Sequence, residues 1–436
     1  GMSSGASSNV LTLVTGGSAR MVLDDNSRIS LSNNDSGSNN TVFGKGAGLD
    51  LASGGTFNAF FGEDAGANVT TGDLNTSLGY RADFYNVTGS NNTAVGYGSL
   101  QGASGESHSD NTAIGYVSLY SVTTGGNNTA VGRSSLQSLT TASGNVAVGT
   151  YAGYQLTDGA FNTLIGTSAG ENLSTNTNHN VMVGYQSGEH ADGATVASVR
   201  NSYLGYQSGR YLDDGVDNVA IGYQALYSNS AEGNDASNNV AVGKDSLKDI
   251  TDGDGNVAIG KGAGENLTTA SYNTFLNNGA HASGGTAGIV TGNSNVGIGY
   301  ASLLTLTSGA NNIGIGLQAG QNVNTGGSNI LMGFQAGINI GSGSENIVLG
   351  WRAGDAMTDS TGVIAIGTNA GSSINDTDAN ASVLIGYNAG ADLTEAQYTT
   401  AVGSNSLANI TTGDNNTALG YNAGLALTVE SSNTAI

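Results

Sequence analysis

The sequence predicts an all-β chain, a parallel β-solenoid (β-roll) of about 22 rungs on a 17-residue repeat, because self-similarity at a short fixed period means stacked coils. Three observations predict it. A unit reading roughly Asn-Thr/Val-Ala-Ile/Val-Gly-Tyr recurs almost throughout, as in Asn92-Thr93-Ala94-Val95-Gly96-Tyr97, Asn111-Thr112-Ala113-Ile114-Gly115-Tyr116 and Asn416-Thr417-Ala418-Leu419-Gly420-Tyr421. Its glycine steps by 17 from Gly62 to Gly79 to Gly96, and from Gly115 through Gly132 and Gly149 to Gly166, and every exception is longer. A coil can bulge out a loop but cannot close with fewer residues. Finally, the residue before that glycine stays apolar: Val95, Ile114, Val131, Val148, Ile165, Val183, Leu204 and Ile221.

Within a unit, Asn-Thr-Ala-Ile-Gly-Tyr alternates with period two, which predicts a strand. A second apolar column lies eight residues after the Ile/Val position, at Leu51, Val69, Leu139, Leu156, Leu173, Leu267 and Ile410. Thr-Thr-Gly and Asp-Gly turns follow it, with glycine where a positive φ is needed. The expectation is two short strands per rung. Rungs stacked about 4.8 Å apart would make a rod roughly 100 Å long.

On the predicted strand, Asn, Ala and Gly share one face; Thr/Val, Ile and often Tyr share the other. The small face suits close approach of the walls of a thin coil. A continuous Ile/Val stripe is a larger apolar patch than monomers expose, so it lies either inside the coil or beneath another chain. We expect the second, with three chains bundled around a common axis. The regular Asn column (Asn75, Asn92, Asn111, Asn128, Asn145, Asn162, Asn180 and onward) reads as a ladder in which each amide bonds the next rung, since an unpaired buried amide costs about 1–3 kcal/mol.

Composition bounds the function. The 436 residues include 71 glycines and no proline, which excludes collagen and proline-rich linkers. A net charge of −22 with only 11 Lys and Arg argues against a nucleic-acid partner. There is no cysteine, hence no disulfide framework. No stretch approaches about 18 apolar residues, so no membrane insertion is expected. Gly1-Met2 reads as a tag-cleavage scar, and the last residues, Asn433 to Ile436, break off midway through a repeat, as in a piece of a longer fibre.

Residues 1–40 differ from the repeat domain, 41–436, and read as cap or attachment strands. Val10–Val14 and Ala19–Asp25 are expected strands, with a third at Arg28–Ser32.

The Asn-Val-Ala-Ile-Gly runs at Asn218–Gly222 and Asn256–Gly260, with Asn-Thr-Ala-Ile-Gly at Asn111–Gly115, resemble the head repeats of trimeric autotransporter adhesins and the repeats of bacteriophage tail fibres. The resemblance spans about residues 40–436. It implies a left-handed parallel β-roll, a homotrimer, and an extracellular or virion-surface location. The 17-residue rung departs from the shorter rungs common in adhesin heads. The run Met21–Ile29 resembles segments that precede repeats in phage fibre proteins.

No catalytic constellation emerges. His108, His179, His190 and His281 lie in inter-strand or insertion segments, and none forms a His-x-x-x-His pair. Asp213-Asp214, Asp252-Gly253-Asp254 and Asp376-Thr377-Asp378 suit oxygen-ligated cations but do not repeat at the rung period, so turn chemistry is the reading; no metal and no cofactor are expected. Two features suit recognition. An aromatic line follows the anchor glycine, with Tyr97, Tyr116, Tyr185, Tyr206, Tyr223, Tyr300 and Trp351 as candidate ligand contacts; its structural alternative is a cross-rung ladder. The long intervals, around His108, Glu189–Val199, Ser228–Ser237, Ala280–Ser294 and Ser372–Asn380, are loops on a scaffold, where binding commonly resides. The expected function is that of a non-enzymatic fibre or adhesin contacting a cell-surface glycan or protein receptor. The alternatives are an ice-binding solenoid, from the recurring Thr-Thr pairs, and a polysaccharide-degrading β-helix enzyme.

Overall fold

The computed structural model describes residues 2–4, 11–15, 18–23, 29–30, 39–190, 199–228, 234–276, 290–375 and 380–436. The expected anchor position at Asn277, His281, Asp376–Asp378 and much of the last four long intervals lie outside these residues. The chain divides into two compact units, Gly1–Asn201 and Ser202–Ile436. Each contains a parallel β-solenoid on the 17-residue repeat. The first holds nine three-residue strands among the described residues, from Thr41–Phe43 to Val181–Val183. The second holds thirteen more, from Ser202–Leu204 to Thr417–Leu419, and a last strand of two residues, Thr434–Ala435. Among the described residues no helix is long and apolar enough to cross a membrane.

The first unit opens with an antiparallel sheet of β1 (Met2–Ser4), β2 (Leu11–Thr15), β3 (Ser18–Leu23) and β4 (Ile29–Ser30), paired in that order. Three of these match the expected strands to within a few residues. β1 was not expected; it begins at the residue read as part of a tag scar.

Neighbouring rungs pair in register. Thr129, Ala130 and Val131 stand opposite Thr112, Ala113 and Ile114 on one side, and opposite Val146, Ala147 and Val148 on the other. From Ala59–Phe61 through Thr417–Leu419 the central residue of each strand is buried, as at Ala113, Ala130 and Ala147, while the residues beside it are partly or well exposed; Val42 in Thr41–Phe43 is only partly buried. The small face is therefore the inner one. The Ile/Val column points away from the coil, with Ile114 39% exposed, which removes the reading that placed it inside. The column eight residues later is buried throughout, from Leu51 and Val69 to Ile410.

The expected second strand does not form. After the anchor glycine the chain runs through turns in which alternate residues take positive φ, such as Ser134 (55°) and Leu136 (47°). Their amides bond in opposite directions: Ser134 N–H donates back to the Tyr116 carbonyl at 2.9 Å, and Leu136 N–H donates forward to the Ala152 carbonyl at 3.0 Å. Left-handed backbone at a leucine costs about 1–2 kcal/mol, and stacking on both neighbours holds it there. This conformation is unusual outside glycine and asparagine, so the apolar column that follows at Leu139 gave no sign of it.

The anchor glycine is required by stacking. At Gly96 φ is 130°, and a Cβ there would lie 2.4 Å from the Gly115 carbonyl oxygen of the next rung. The same clash, glycine on glycine, recurs along both solenoids.

The asparagine ladder forms as expected. Asn128 donates its backbone N–H (3.0 Å) and its Nδ2 (3.2 Å) to Oδ1 of Asn111, and donates Nδ2 to the Ala142 carbonyl at 3.0 Å. Each buried amide thus closes its own turn and ties two rungs. The ladder lapses where Val363, Ser382 and Thr399 occupy the column, and resumes between Asn416 and Asn433.

Core volume is shared between two positions, the strand centre and the residue six later. Ala94 goes with Leu100, Ala113 with Leu119 and Ala130 with Leu136, whereas Leu164 goes with Gly170, Met182 with Gly188 and Tyr203 with Gly209. Among the described rungs none carries a large residue at both, as close packing requires. One rung departs from an apolar core altogether: Ser77, Asp83 and Asn86 fill its inner positions, and His108 packs against them.

Candidate ligand-binding surface

The turn at the anchor glycine throws the next side chain outward, and there the candidate aromatic residues stand about half exposed. Tyr80, Tyr97 and Tyr116 form one stack in the first unit, with ring centroids 5.3 and 5.2 Å apart and planes within 23° and 15°. In the second unit Tyr206 and Tyr223 stack at 5.0 Å, and Phe334 and Trp351 at 6.0 Å. Tyr185 and Tyr300 are exposed at the same position of their own rungs.

The line is a set of short stacks separated by other residues. Arg133, Thr150 and Thr167 interrupt the column after Tyr116, Lys244 and Lys261 follow Tyr223, and Leu317 separates Tyr300 from Phe334. Cations cap several stacks: Arg133 lies 5.9 Å from the Tyr116 centroid, Lys244 5.1 Å from Tyr223, and Arg352 5.5 Å from Trp351. Inside a stack each ring face is covered by its neighbour. What the stack presents outward is ring edges and phenol hydroxyls, which suits hydrogen bonding better than the face-on packing of a sugar.

One group of these residues encloses a recess. Tyr97, Tyr116, Val117, Tyr120, Arg133, Ser134, Gln137, Tyr151 and Tyr154 line an open groove of about 380 Å³. Arg133 has a ring on each neighbouring rung, Tyr116 at 5.9 Å and Tyr151 at 5.5 Å, and Tyr154 meets Tyr151 edge-on at 5.5 Å. Sequence reading singled out Tyr97 and Tyr116 and missed Arg133, Tyr120, Tyr151 and Tyr154. The signal was present in other columns, since Tyr120 and Tyr154 both stand five residues after their anchor glycines. A second polar recess in the second unit is lined by Asn339, Arg352, Asp355, Asn369 and Ser372 among others, but its Arg352 is already paired with Asp355 at 2.7 Å.

The histidines have separate fates. His108 is buried against Asp83, His179 stacks on Phe161 at 5.3 Å, and His190 lies 3.6 Å from Glu189. The turn aspartates bond backbone: Asp254 accepts the Ser237 N–H at 2.7 Å, and Asp73 accepts the Thr56 N–H at 2.6 Å. Burial, then the nearby Asp214, Asp252 and Asp254, push the Asp235 carboxyl above its ordinary value. Among the described residues no group of three His, Asp or Glu is placed to hold a metal ion.

Comparison of the chain with family models, with curated proteins and with solved structures finds no match in any of the three.

Proposed function

We propose that this protein is a non-enzymatic fibre or adhesin, a homotrimeric display scaffold of the tail-fibre or surface-adhesin kind that works outside the cell or on a virion. The observation that carries the reading is the outward apolar column. In the first unit Phe61, Leu78, Ile114, Val148 and Ile165 stand exposed along one side of a solenoid whose interior is already filled. Eight rung spacings of about 4.8 Å make a stripe of roughly 40 Å, more than a soluble monomer leaves open. A partner must match the rung spacing along the whole stripe, and a second copy of this chain does so without further design. The second unit carries the same column, at Leu204, Ile221, Ile259, Met332 and Leu419.

The threonine turns favour this reading over ice binding. The first Thr of each pair is spent on stacking, as Thr140 Oγ1 donates to the Thr157 carbonyl at 3.0 Å and Thr70 Oγ1 to the Val87 carbonyl at 2.9 Å. They are rung fasteners before they are a surface array.

The test is mass in solution with a surface-binding assay. Sedimentation should give three times the 43.2 kDa chain mass, and Ile114→Lys with Val148→Lys should lower it while the far-UV spectrum stays unchanged. The labelled protein should bind at least one glycan on an array. A monomer at every concentration overturns the trimer; a blank array and no binding to cells overturns the adhesin.

A further inference from the structure

We infer that the groove around Arg133 is a binding subsite for an anionic polysaccharide, with the guanidinium of Arg133 holding a carboxylate or sulfate of the sugar chain; this rests on the adhesin reading and adds its ligand class and its site. Three observations combine. The first is an unpaired cation in an acidic protein. Arg133 is exposed and has no carboxylate partner among the described residues, whereas Lys45 and Arg81 of the same unit face Glu63 at 3.0 Å and Asp64 at 3.6 Å. In a chain of net charge −22, five described cations, Lys45, Arg81, Lys244, Lys248 and Arg352, face an acid.

The second is pre-organisation. Tyr116 and Tyr151 flank the guanidinium at 5.9 and 5.5 Å. With a ring from each neighbouring rung beside it, it loses little further freedom on binding and keeps its N–H edge available for a two-oxygen acceptor. The third is the lining. Tyr97, Tyr120 and Tyr154 bring phenols, and Gln137 and Ser134 bring an amide and a hydroxyl, around a recess of about 380 Å³. Such donors and acceptors match a ligand dense in hydroxyls.

A polysaccharide fits better than an acidic peptide. Peptide capture by strand addition needs a free sheet edge, and the strands here, Thr112–Ile114, Thr129–Val131 and Val146–Val148, are paired in register with neighbours. Only a chain whose anionic group reaches Arg133 while its neutral hydroxyls meet the phenols gains locally.

The experiment is titration calorimetry on the full chain with three probes: an oligogalacturonate, a neutral dextran of similar length, and oligoglutamate. The expected result is binding of the oligogalacturonate alone, weakened about tenfold or more in Arg133→Gln, as loss of a charge-assisted two-point contact implies, and partly retained in Arg133→Lys. Lys45→Gln removes the same charge far from the groove and should leave binding unchanged. Equal binding of dextran, preference for oligoglutamate, no binding of oligogalacturonate, or an unaltered Arg133→Gln overturns the subsite. The adhesin reading is separable: a protein that still binds array glycans or cells with Arg133→Gln unaltered keeps that reading and loses this one. A monomer that binds oligogalacturonate through Arg133 does the reverse for the trimer.

Discussion

His108 Nε2 lies 3.0 Å from Asp83 Oδ1 inside the first solenoid, with the two side chains 1% and 0% exposed. Asn86 donates Nδ2 to the other carboxylate oxygen at 3.3 Å and accepts the Gly89 N–H at 2.9 Å. Two atoms of this layer, His108 Nδ1 and Ser77 Oγ, have no hydrogen-bond partner among the described residues. Burial pushes the Asp83 carboxyl above the ordinary 3.8, and the bonds from His108 and Asn86 draw it only part of the way back.

The sign of the pH effect follows. A carboxyl with a raised native pKa binds its proton more tightly folded than unfolded, so it stabilises below the ordinary value. That contribution is lost as pH rises from 3.8 through the raised native value. Asp83→Asn should therefore gain on the parent protein across that window and then hold a constant advantage. Melting temperatures of both proteins between about pH 3 and pH 7 check this; a difference independent of pH refutes it. His108→Leu should cost about 3–5 kcal/mol at neutral pH, because it strands a buried acid.

The ladder predicts an asymmetry. Asn128→Leu leaves the Asn145 N–H and the Ala142 carbonyl without their side-chain partners and should cost about 1–3 kcal/mol for each group stranded. Val363→Asn should do no harm or stabilise by about 1 kcal/mol, since Asn346 Oδ1 already accepts the Val363 N–H at 3.0 Å and the added amide extends the row. Chemical denaturation of the two variants measures both, and equal losses would deny the ladder its role.

An anchor glycine should be irreplaceable where the loop glycine Gly105 is not. A Cβ on Gly115 would sit 2.4 Å from the Gly132 carbonyl oxygen, whereas one on Gly105 meets nothing within 4 Å. Gly115→Ala should disrupt stacking and melt early. Gly105→Ala should cost only the strain of its φ of 84°, about 1–2 kcal/mol. Thermal unfolding distinguishes the two in one experiment.

Shared core volume predicts rescue. A side chain at Gly170 meets Leu173 Cδ1 at 2.7 Å and Leu164 Cδ2 at 2.9 Å, so Gly170→Leu should destabilise by about 1–3 kcal/mol. Adding Leu164→Ala recreates the arrangement of Ala130 with Leu136 and should recover most of that loss. A double-mutant cycle reads the coupling; additive losses would mean that the two positions do not share space.

Much of the scaffold was legible because a repeat samples each column many times. Asn75, Asn92 and Asn111 recur at a phase that only a ladder explains, and Leu139, Leu156 and Leu173 at a phase that only burial explains. The second strand was expected from the apolar column at Leu139, Leu156 and Leu173; it does not form because residues leading into that column, such as Leu119 and Leu136, occupy left-handed backbone held by bonds to neighbouring rungs. The candidate site was half legible. Tyr97 and Tyr116 follow their glycines in an obvious column, but Arg133 joins them as an interruption of that column, and Tyr151 and Tyr154 come from others.

Periodicity in the sequence was enough to establish a parallel solenoid, its rung length, its ladder and its inner leucine column, since each is a rule about one position repeated. Which way the Ile/Val column faces, which rings cover one another, and that Asp83 meets His108 from 25 residues away depended on the tertiary structure. Those are relations between positions on different rungs. They follow from stacking offsets and side-chain volumes, which a column of letters does not contain.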